Sequence, residues 1–200
     1  MSCLISSIHY CPVKSLSYQS LNSCNIKKNL GIINDRAFAF SRGIDLDKAK
    51  LIENNPNERK LNHLLTLKNS PSLNKYNFEY KNDELSLIKN DKKLISISIN
   101  NLEEHSNLSN KLIELESSLL KPIFLLKNQA FPFFDTSHSN NVFNSMSLIN
   151  LNSLKDFELK INKKIELQRF RGNFYVDGID AWEERNWVNK TIKINNILFQ

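Results

Sequence analysis

The sequence has little glycine, only four of its 200 residues. Phosphate-binding loops, dinucleotide-binding fingerprints and nucleophile elbows all need closely spaced glycines, and none of these motifs occurs. The sequence also has no apolar run of about eighteen residues, the length that a membrane-spanning helix requires. Its N-terminus lacks the charged region and apolar stretch that mark a signal peptide. These absences exclude the common nucleotide-binding sites and predict neither a membrane span nor a secretory leader.

Cysteine is scarce too, and the three cysteines, Cys3, Cys11 and Cys24, all lie near the N-terminus. Their spacing matches neither a zinc site nor a redox motif. We interpret them as reduced thiols, which predicts a cytoplasmic protein.

Charge is moderately biased toward the positive side. The 27 lysines and arginines outnumber the 21 acidic residues, which gives a net charge of +6, but no block of consecutive basic residues occurs. Such blocks are typical of nucleic-acid-binding tails. The sequence therefore argues against nucleic acid as a general partner, while a local site for an anion stays open.

Short apolar segments indicate that most of the chain is β-structure. Helical spacing of apolar residues predicts helices over residues 45–53, 101–120 and 154–161, and we interpret the leucines of the second helix as core. We expect a mainly β protein with a few helices, an α+β fold, with domains at residues 1–100 and 101–200. The predicted strands cover residues 3–10, 20–26, 37–40, 76–80, 85–89, 94–99, 123–126, 147–149, 191–194 and 197–199.

The predicted turns and loops have two distinctive features. Asparagine tolerates the left-handed backbone better than most residues, so we expect it at several turns where glycine would be usual, such as Asn195-Asn196. Residues 128–144 are polar and aromatic and predict a long loop, which is either mobile or functional. His138 in that loop is a minor functional candidate.

One stretch, residues 168–187, concentrates the rare residue types. It contains two of the four glycines and both tryptophans, and Arg169 and Arg171 would share one face of a strand. Arginines beside aromatic residues and Asn173 are typical of a rigid wall that presents guanidinium groups to an anion. A salt-bridged barrel strand is the alternative that these residue types leave open.

Several motifs follow one another along the chain. They are Pro12-Val13-Lys14-Ser15-Leu16; Gly31 with Asp35-Arg36; Leu148-Ile149-Asn150 with Ser153-Leu154; Arg169-Phe170-Arg171-Gly172-Asn173; and Glu183-Glu184 with Trp187. In this order, over about residues 3 to 200, the chain resembles the MOSC family, named for the molybdenum-cofactor sulfurase C-terminal domain.

The resemblance implies a fold, a cofactor and a function. The fold is an N-terminal β-barrel-like domain over residues 1–100 and the first part of a MOSC β-barrel over residues 101–200. The cofactor is the molybdenum cofactor, molybdopterin, and the function is that of an oxidoreductase acting on N-hydroxylated compounds or of a sulfur-transfer protein. The implied partners are a small-molecule substrate and an electron-donor protein. In sulfurases the domain is fused to a pyridoxal-phosphate enzyme, which this sequence lacks.

The resemblance also implies which residues bind the cofactor, by position in the matching motifs. Because the pterin carries a phosphate, converging lysine, arginine, hydroxyl and amide donors would give it charge-assisted hydrogen bonds. Residues of the N-terminal domain would hold it from one side and residues of the MOSC domain from the other. The cofactor-binding residues implied in this way are Lys14, Ser15, Arg36, Ser153, Arg171 and Asn173.

The chain departs from the family pattern at several turn residues, which are tolerable changes, and in one serious way. Gly172 stands where the family has proline, and the family's metal-binding cysteine lies downstream of the last hairpin, whereas this chain has no cysteine after Cys24. We therefore expect the MOSC domain to be C-terminally incomplete, with Cys11 as an alternative thiolate for molybdenum. A non-catalytic module that binds an anion or a partner is the alternative function, and single-stranded RNA binding is a third.

Overall fold

The computed structural model describes residues 3–134 and 145–199. Within these ranges the protein has thirteen strands and three α-helices and is mainly β, which confirms the predicted α+β class. Part of the predicted loop 128–144, including His138, lies outside the described residues. The strands are β1 (Leu4–Tyr10), β2 (Gln19–Leu21), β3 (Ile26–Lys27), β4 (Gly31–Ile32), β5 (Phe38–Phe40), β6 (Asn77–Lys81), β7 (Glu84–Lys89), β8 (Lys92–Ser98), β9 (Leu125–Lys127), β10 (Leu148–Asn150), β11 (Phe174–Asp177), β12 (Ile192–Ile194) and β13 (Ile197–Phe199).

The three helices are α1 (Leu46–Asn54), α2 (Leu102–Leu115) and α3 (Leu151–Ile161). Each begins after a residue whose side chain accepts a backbone N–H of the first turn, which satisfies a donor that the helix itself leaves open. The capping residues are Asp45, Asn101 and Asn150. None of the helices in the ranges described combines the length and apolarity that crossing a membrane requires.

The helix predictions are right in type and differ at the ends. Helix α2 ends at Leu115, earlier than predicted, yet Leu119 beyond it is buried with Leu108 and Leu112. The prediction that this leucine stripe is core is therefore confirmed. Helix α3 begins earlier than predicted, because the Asn150 side chain already accepts the Asn152 N–H.

The described residues divide into two compact units by their contacts. Residues 10–134 with Ser145 form the large unit, and residues 3–9 with 146–199 form the small unit. This division is a different one from the predicted domains at 1–100 and 101–200, and that domain boundary stays a prediction. The barrel-like form of the two domains also stays a prediction.

The large unit is built on an antiparallel meander of β6, β7 and β8, as the short strands and their asparagine turns predict. Phe78, Leu85 and Leu87 point into a core that also contains Phe38 and residues of α2. Strand β5 pairs with β9 in antiparallel fashion beside it. Alternating side chains and apolar burial therefore specify this unit.

The small unit is a mixed sheet in which β11 pairs in parallel with β10 and antiparallel with β1. Helix α3 lies between the two parallel strands in sequence. The β11 residues Phe174, Tyr175 and Val176 are all buried. The predicted last hairpin is confirmed as β12 and β13, with Asn195 at a φ of 52° in its turn.

Two details of the strand and turn predictions have definite outcomes. The expected strand over residues 20–26 is wrong, because two separate short strands, β2 and β3, occupy that region. The expectation that asparagine replaces glycine at turns is confirmed. Positive φ angles occur at Asn29, Asn34, Asn82, Asn90, Asn162, Asn189 and Asn195.

Candidate functional site

Two of the motifs that carry the MOSC resemblance lie side by side in the large unit. The Lys14 N–H donates to the Phe38 carbonyl at 2.8 Å, and the Phe38 N–H donates to the Pro12 carbonyl at 2.9 Å. Toward the N-terminal side of both segments, the Arg36 N–H donates to the Cys11 carbonyl at 2.7 Å. These backbone bonds bring the segment with Lys14 and Ser15 alongside the segment with Arg36.

A buried carboxylate, Asp35, joins these two segments through its side chain. One oxygen accepts the Cys11 N–H at 2.7 Å, and the other accepts a hydrogen bond from the Arg36 guanidinium. The other side of that guanidinium is covered, since Arg36 Cζ lies 4.9 Å from the centre of the Phe134 ring. The Arg36 side chain is thus held by a carboxylate and an aromatic ring while one fifth of it stays exposed.

The lysine of the first motif has an unusual position. Lys14 is 1% exposed, although lysine is among the residues that are least often buried. The next residue, Ser15, has a φ of 62°, which non-glycine residues seldom adopt. A buried lysine followed by a left-handed residue indicates a turn that packing holds in one conformation.

The arginines of the small unit are not on a strand, so the expectation that Arg169 and Arg171 share one strand face is wrong. Arg169 ends a short 3₁₀ helix, Leu167–Arg169, and Arg171 lies in a turn with a φ of 50°. Strand β11 begins only at Phe174. The two side chains therefore belong to a turn that precedes the strand.

Close packing accounts for the glycine at this turn. A Cβ atom added at Gly172 would fall 2.6 Å from Ile149 Cγ1, too close for a real contact. The Gly172 N–H also donates to the Tyr175 hydroxyl at 3.2 Å, and that hydroxyl donates to the Leu167 carbonyl at 2.9 Å. Proline would supply the Cβ and lack the N–H.

Asn173, the last residue of the motif, is buried and its amide ties backbone segments together. Its Oδ1 accepts the Ser147 N–H at 3.1 Å and the Ser147 hydroxyl at 3.2 Å. Its Nδ2 donates to the His9 carbonyl at 3.2 Å. These bonds give Asn173 a structural task inside the small unit, and its role toward a cofactor stays a prediction.

The Ser153 hydroxyl has protein partners as well. It donates to both carboxylate oxygens of Glu184, at 2.7 and 2.9 Å, and it accepts the Trp182 N–H at 2.7 Å. Asn150 Nδ2 donates to the same carboxylate at 2.8 Å. Burial alone would raise the pKa of Glu184, but the hydrogen bonds from Asn150 and Ser153 hold that pKa below its ordinary value. The carboxylate is therefore charged at neutral pH.

An open pocket of about 300 Å³ lies next to this network, within the small unit. Its walls are mostly apolar and include Phe157, Phe170 and Trp182. Sequence reasoning missed this pocket because its walls come from separate segments, none of which has a motif for a pocket. The one available signal was the clustering of aromatic residues around the motif that contains Arg171.

The sequence-predicted residues thus fall into two sets, each described within its own unit. Lys14, Ser15 and Arg36 belong to adjacent segments of the large unit. Ser153, Arg171 and Asn173 belong to the small unit, where Ser153 and Asn173 have protein partners. Over residues 3–134 and 145–199, no group of three or more His, Cys, Asp or Glu side chains is arranged to hold a metal ion.

Comparison with known proteins assigns no family. The sequence matches no model of a known protein family and no curated protein.

Proposed function

We propose that this chain is a MOSC-type protein that binds molybdopterin and has an oxidoreductase or sulfur-transfer activity. One observation supports the proposal above the others. The segments with Lys14-Ser15 and Asp35-Arg36, which the sequence separates, are hydrogen-bonded side by side in the large unit. Two motifs chosen only by their resemblance to one family therefore share one location.

The residues of this location suit an anionic group such as a pterin phosphate. Arginine offers a planar pair of donors that matches phosphate oxygens, and lysine and serine add a charge and a hydroxyl. Asp35 and Phe134 hold the Arg36 guanidinium, so little side-chain entropy is lost when an anion binds. When bound, the cofactor supplies redox chemistry at its metal. The task of Lys14, Ser15 and Arg36 is to bind and orient its phosphate.

The direct test measures cofactor on the purified protein. The chain is produced in a host that makes molybdopterin, molybdenum is measured by mass spectrometry, and the pterin is measured by fluorescence after oxidation. We expect both on the wild-type protein and about tenfold less on Arg36→Ala, because a charge-assisted pair of hydrogen bonds is lost. Arg36→Lys keeps the charge without the planar donor pair and should fall between them.

The matched control is Lys28→Ala, which removes a positive charge from an exposed residue of the same unit. It should leave the cofactor content unchanged. A wild-type protein that carries neither pterin nor molybdenum would contradict the proposal, and so would equal losses in Lys28→Ala and Arg36→Ala.

A non-catalytic anion-binding module is the second candidate function. It is favoured by the burial of Cys11, the thiol that the sequence offers as an alternative ligand for molybdenum. A pterin phosphate that raises the melting temperature of the protein, with no turnover of N-hydroxylated compounds in the presence of a reductant, would favour this candidate over an enzyme.

A further inference from the structure

The pocket of the small unit has an aromatic wall that is open to ligand. Phe157 on α3 is 38% exposed and Phe170 is 42% exposed, although both are large apolar side chains. Leu148, Ile149 and Leu154 complete the apolar lining. Exposed aromatic rings around one concave space are typical of a ligand site.

Trp182, the third aromatic wall residue, is held in an unusual conformation. Its φ of 70° is a strained value for a bulky side chain. Two hydrogen bonds hold it there, from its N–H to the Ser153 hydroxyl at 2.7 Å and from its indole N–H to Asp156 at 2.6 Å. The Arg185 guanidinium lies 4.4 Å from the ring centre. Trp182 is thus fixed before any ligand arrives.

The polar end of the pocket is formed by Asn150, Ser153 and Glu184. The Ser153 hydroxyl and the Asn150 amide each direct one proton to the Glu184 carboxylate, which has about four acceptor positions. Its own backbone N–H is a further donor. A carboxylate with acceptor capacity left over, at the end of an apolar pocket, favours a ligand that donates from a positively charged nitrogen.

We propose that this pocket binds a small aromatic amine, with the ring between Phe157, Phe170 and Trp182 and the ammonium group on Glu184. The volume of about 300 Å³ limits the ligand to a small molecule. At Glu184 a carboxylic acid of the same shape would meet a like charge, whereas the two described cations near the pocket, Arg185 and Lys160, lie over the Trp182 ring, at 4.4 and 5.6 Å from its centre. The inference rests on contacts within the small unit and does not depend on the cofactor site at Lys14 and Arg36. It does assign Ser153, which the MOSC resemblance gives to the cofactor, to the Glu184 carboxylate.

Binding is measured with 2-phenylethylamine, and 3-phenylpropionate serves as a probe of similar shape and opposite charge. The two tryptophans give two indole N–H signals in a ¹⁵N–¹H spectrum, and a Trp187→Phe variant identifies the signal of Trp182. We expect the amine to shift the Trp182 signal in a saturable way, with a dissociation constant of about 1 mM. The Trp187 signal should show no saturable shift with the amine, and neither signal should show one with the acid.

Variants of the wall and of the polar end test the geometry. Phe170→Ala and Phe157→Ala should each weaken the amine about fivefold, because each removes one ring contact. The matched control is Leu159→Ala on the same helix, which is 80% exposed and should leave binding unchanged. Glu184→Gln should weaken the amine about tenfold and remove the preference for the amine over the acid.

Three results would contradict the proposed amine site. Equal binding of the amine and the acid, no saturable shift of the Trp182 signal, or equal effects of Leu159→Ala and Phe170→Ala would overturn the proposal. If Glu184→Gln does not fold, as judged by the dispersion of its spectrum, the two phenylalanine variants decide the question.

Discussion

The two compact units are stabilised in different ways. Among the described residues, both apolar clusters draw their members from the large unit, between Val13 and Phe133. The small unit buries the apolar residues of β11 together with polar side chains that make hydrogen bonds across several segments. These polar residues are Asn150, Ser153 and Asn173.

This difference separates two sources of specificity. Apolar burial is strong but non-directional, so the core of the large unit sets stability more than it sets the position of any one group. Hydrogen bonds contribute less each but fix distances and angles, so the network of the small unit sets where Trp182 and Glu184 lie. Substitutions in the apolar core of the large unit are therefore expected to cause large losses of stability. Substitutions in the hydrogen-bond network of the small unit are expected to change its geometry.

The largest effect is expected for Leu87→Ala in the central strand of the meander. Leu87 is fully buried, so its loss should lower the free energy of unfolding by about 3–5 kcal/mol through lost burial and the cavity left behind. Urea unfolding measures this, and hydrogen exchange of the β6–β8 amides assigns it to the large unit. The control is Leu102→Ala, at a leucine that is 77% exposed. It should lower the free energy of unfolding by about 0.5 kcal/mol or less. Similar losses in both variants would remove the basis of the comparison.

A smaller effect is expected for Asn173→Ala in the small unit. This change removes the buried amide that the Ser147 N–H and the His9 carbonyl use as their partner, in a place that is only partly buried on their side, at a cost of about 1–3 kcal/mol. The control is Asn186→Ala, because Asn186 is exposed and its amide donates to Glu183 at 2.9 Å. Urea unfolding of both variants should show a clear gap. If Asn186→Ala costs as much, hydrogen bonding in the small unit is not what distinguishes it.

Acid should weaken the small unit through Glu184. The pKa of Glu184 is lowered in the folded protein, so its contribution to stability is complete above the ordinary carboxyl pKa of about 4.3. That contribution is lost as the pH falls through the lower folded value. Glu184→Gln should therefore flatten the fall of the melting temperature as the pH drops below about 5. Glu183→Gln is the neighbouring control, and an unchanged slope in Glu184→Gln would refute the assignment.

The smallest expected effect is the stability cost of replacing an asparagine at a turn, and it should be of equal size in the two units. Asn90 in the turn between β7 and β8 has a φ of 50°, and Asn162 after α3 has a φ of 49°. Alanine at either position should cost about 1 kcal/mol, and glycine should cost nothing or stabilise slightly, because the strain is local to the backbone. Melting temperatures of the four variants test this. A cost that differs strongly between the two alanine variants would show that packing, and not local backbone strain, decides at these turns.

Much of the fold could be predicted where the signal is local. The leucine spacing of α2, the alternation in β6, β7 and β8 and the asparagine turns each depend on residues a few positions apart. The same reasoning failed at Arg171, because that turn depends on Ile149 and Tyr175, which contact Gly172. Element types were therefore predictable, and the conformation before β11 was not.

The candidate site shows the same limit. Lys14, Ser15 and Arg36 could be selected from their motifs, since residue type and order are properties of the sequence. That Asp35 and Phe134 hold the Arg36 guanidinium could not be selected, nor could the engagement of Ser153 by Glu184 and Trp182. Such pairs join residues from different segments, and only folding brings them within hydrogen-bonding distance.

The sequence by itself determined the α+β class, the helices and the meander. It could do so because periodicity, capping and turn chemistry act between near neighbours along the chain. Only the tertiary structure decided that the Lys14 and Arg36 segments are hydrogen-bonded to each other and that Arg171 lies in a turn. It also decided that three aromatic residues line one pocket, namely Phe157, Phe170 and Trp182. These outcomes depend on close packing and directional hydrogen bonds between distant segments, and no local pattern contains them.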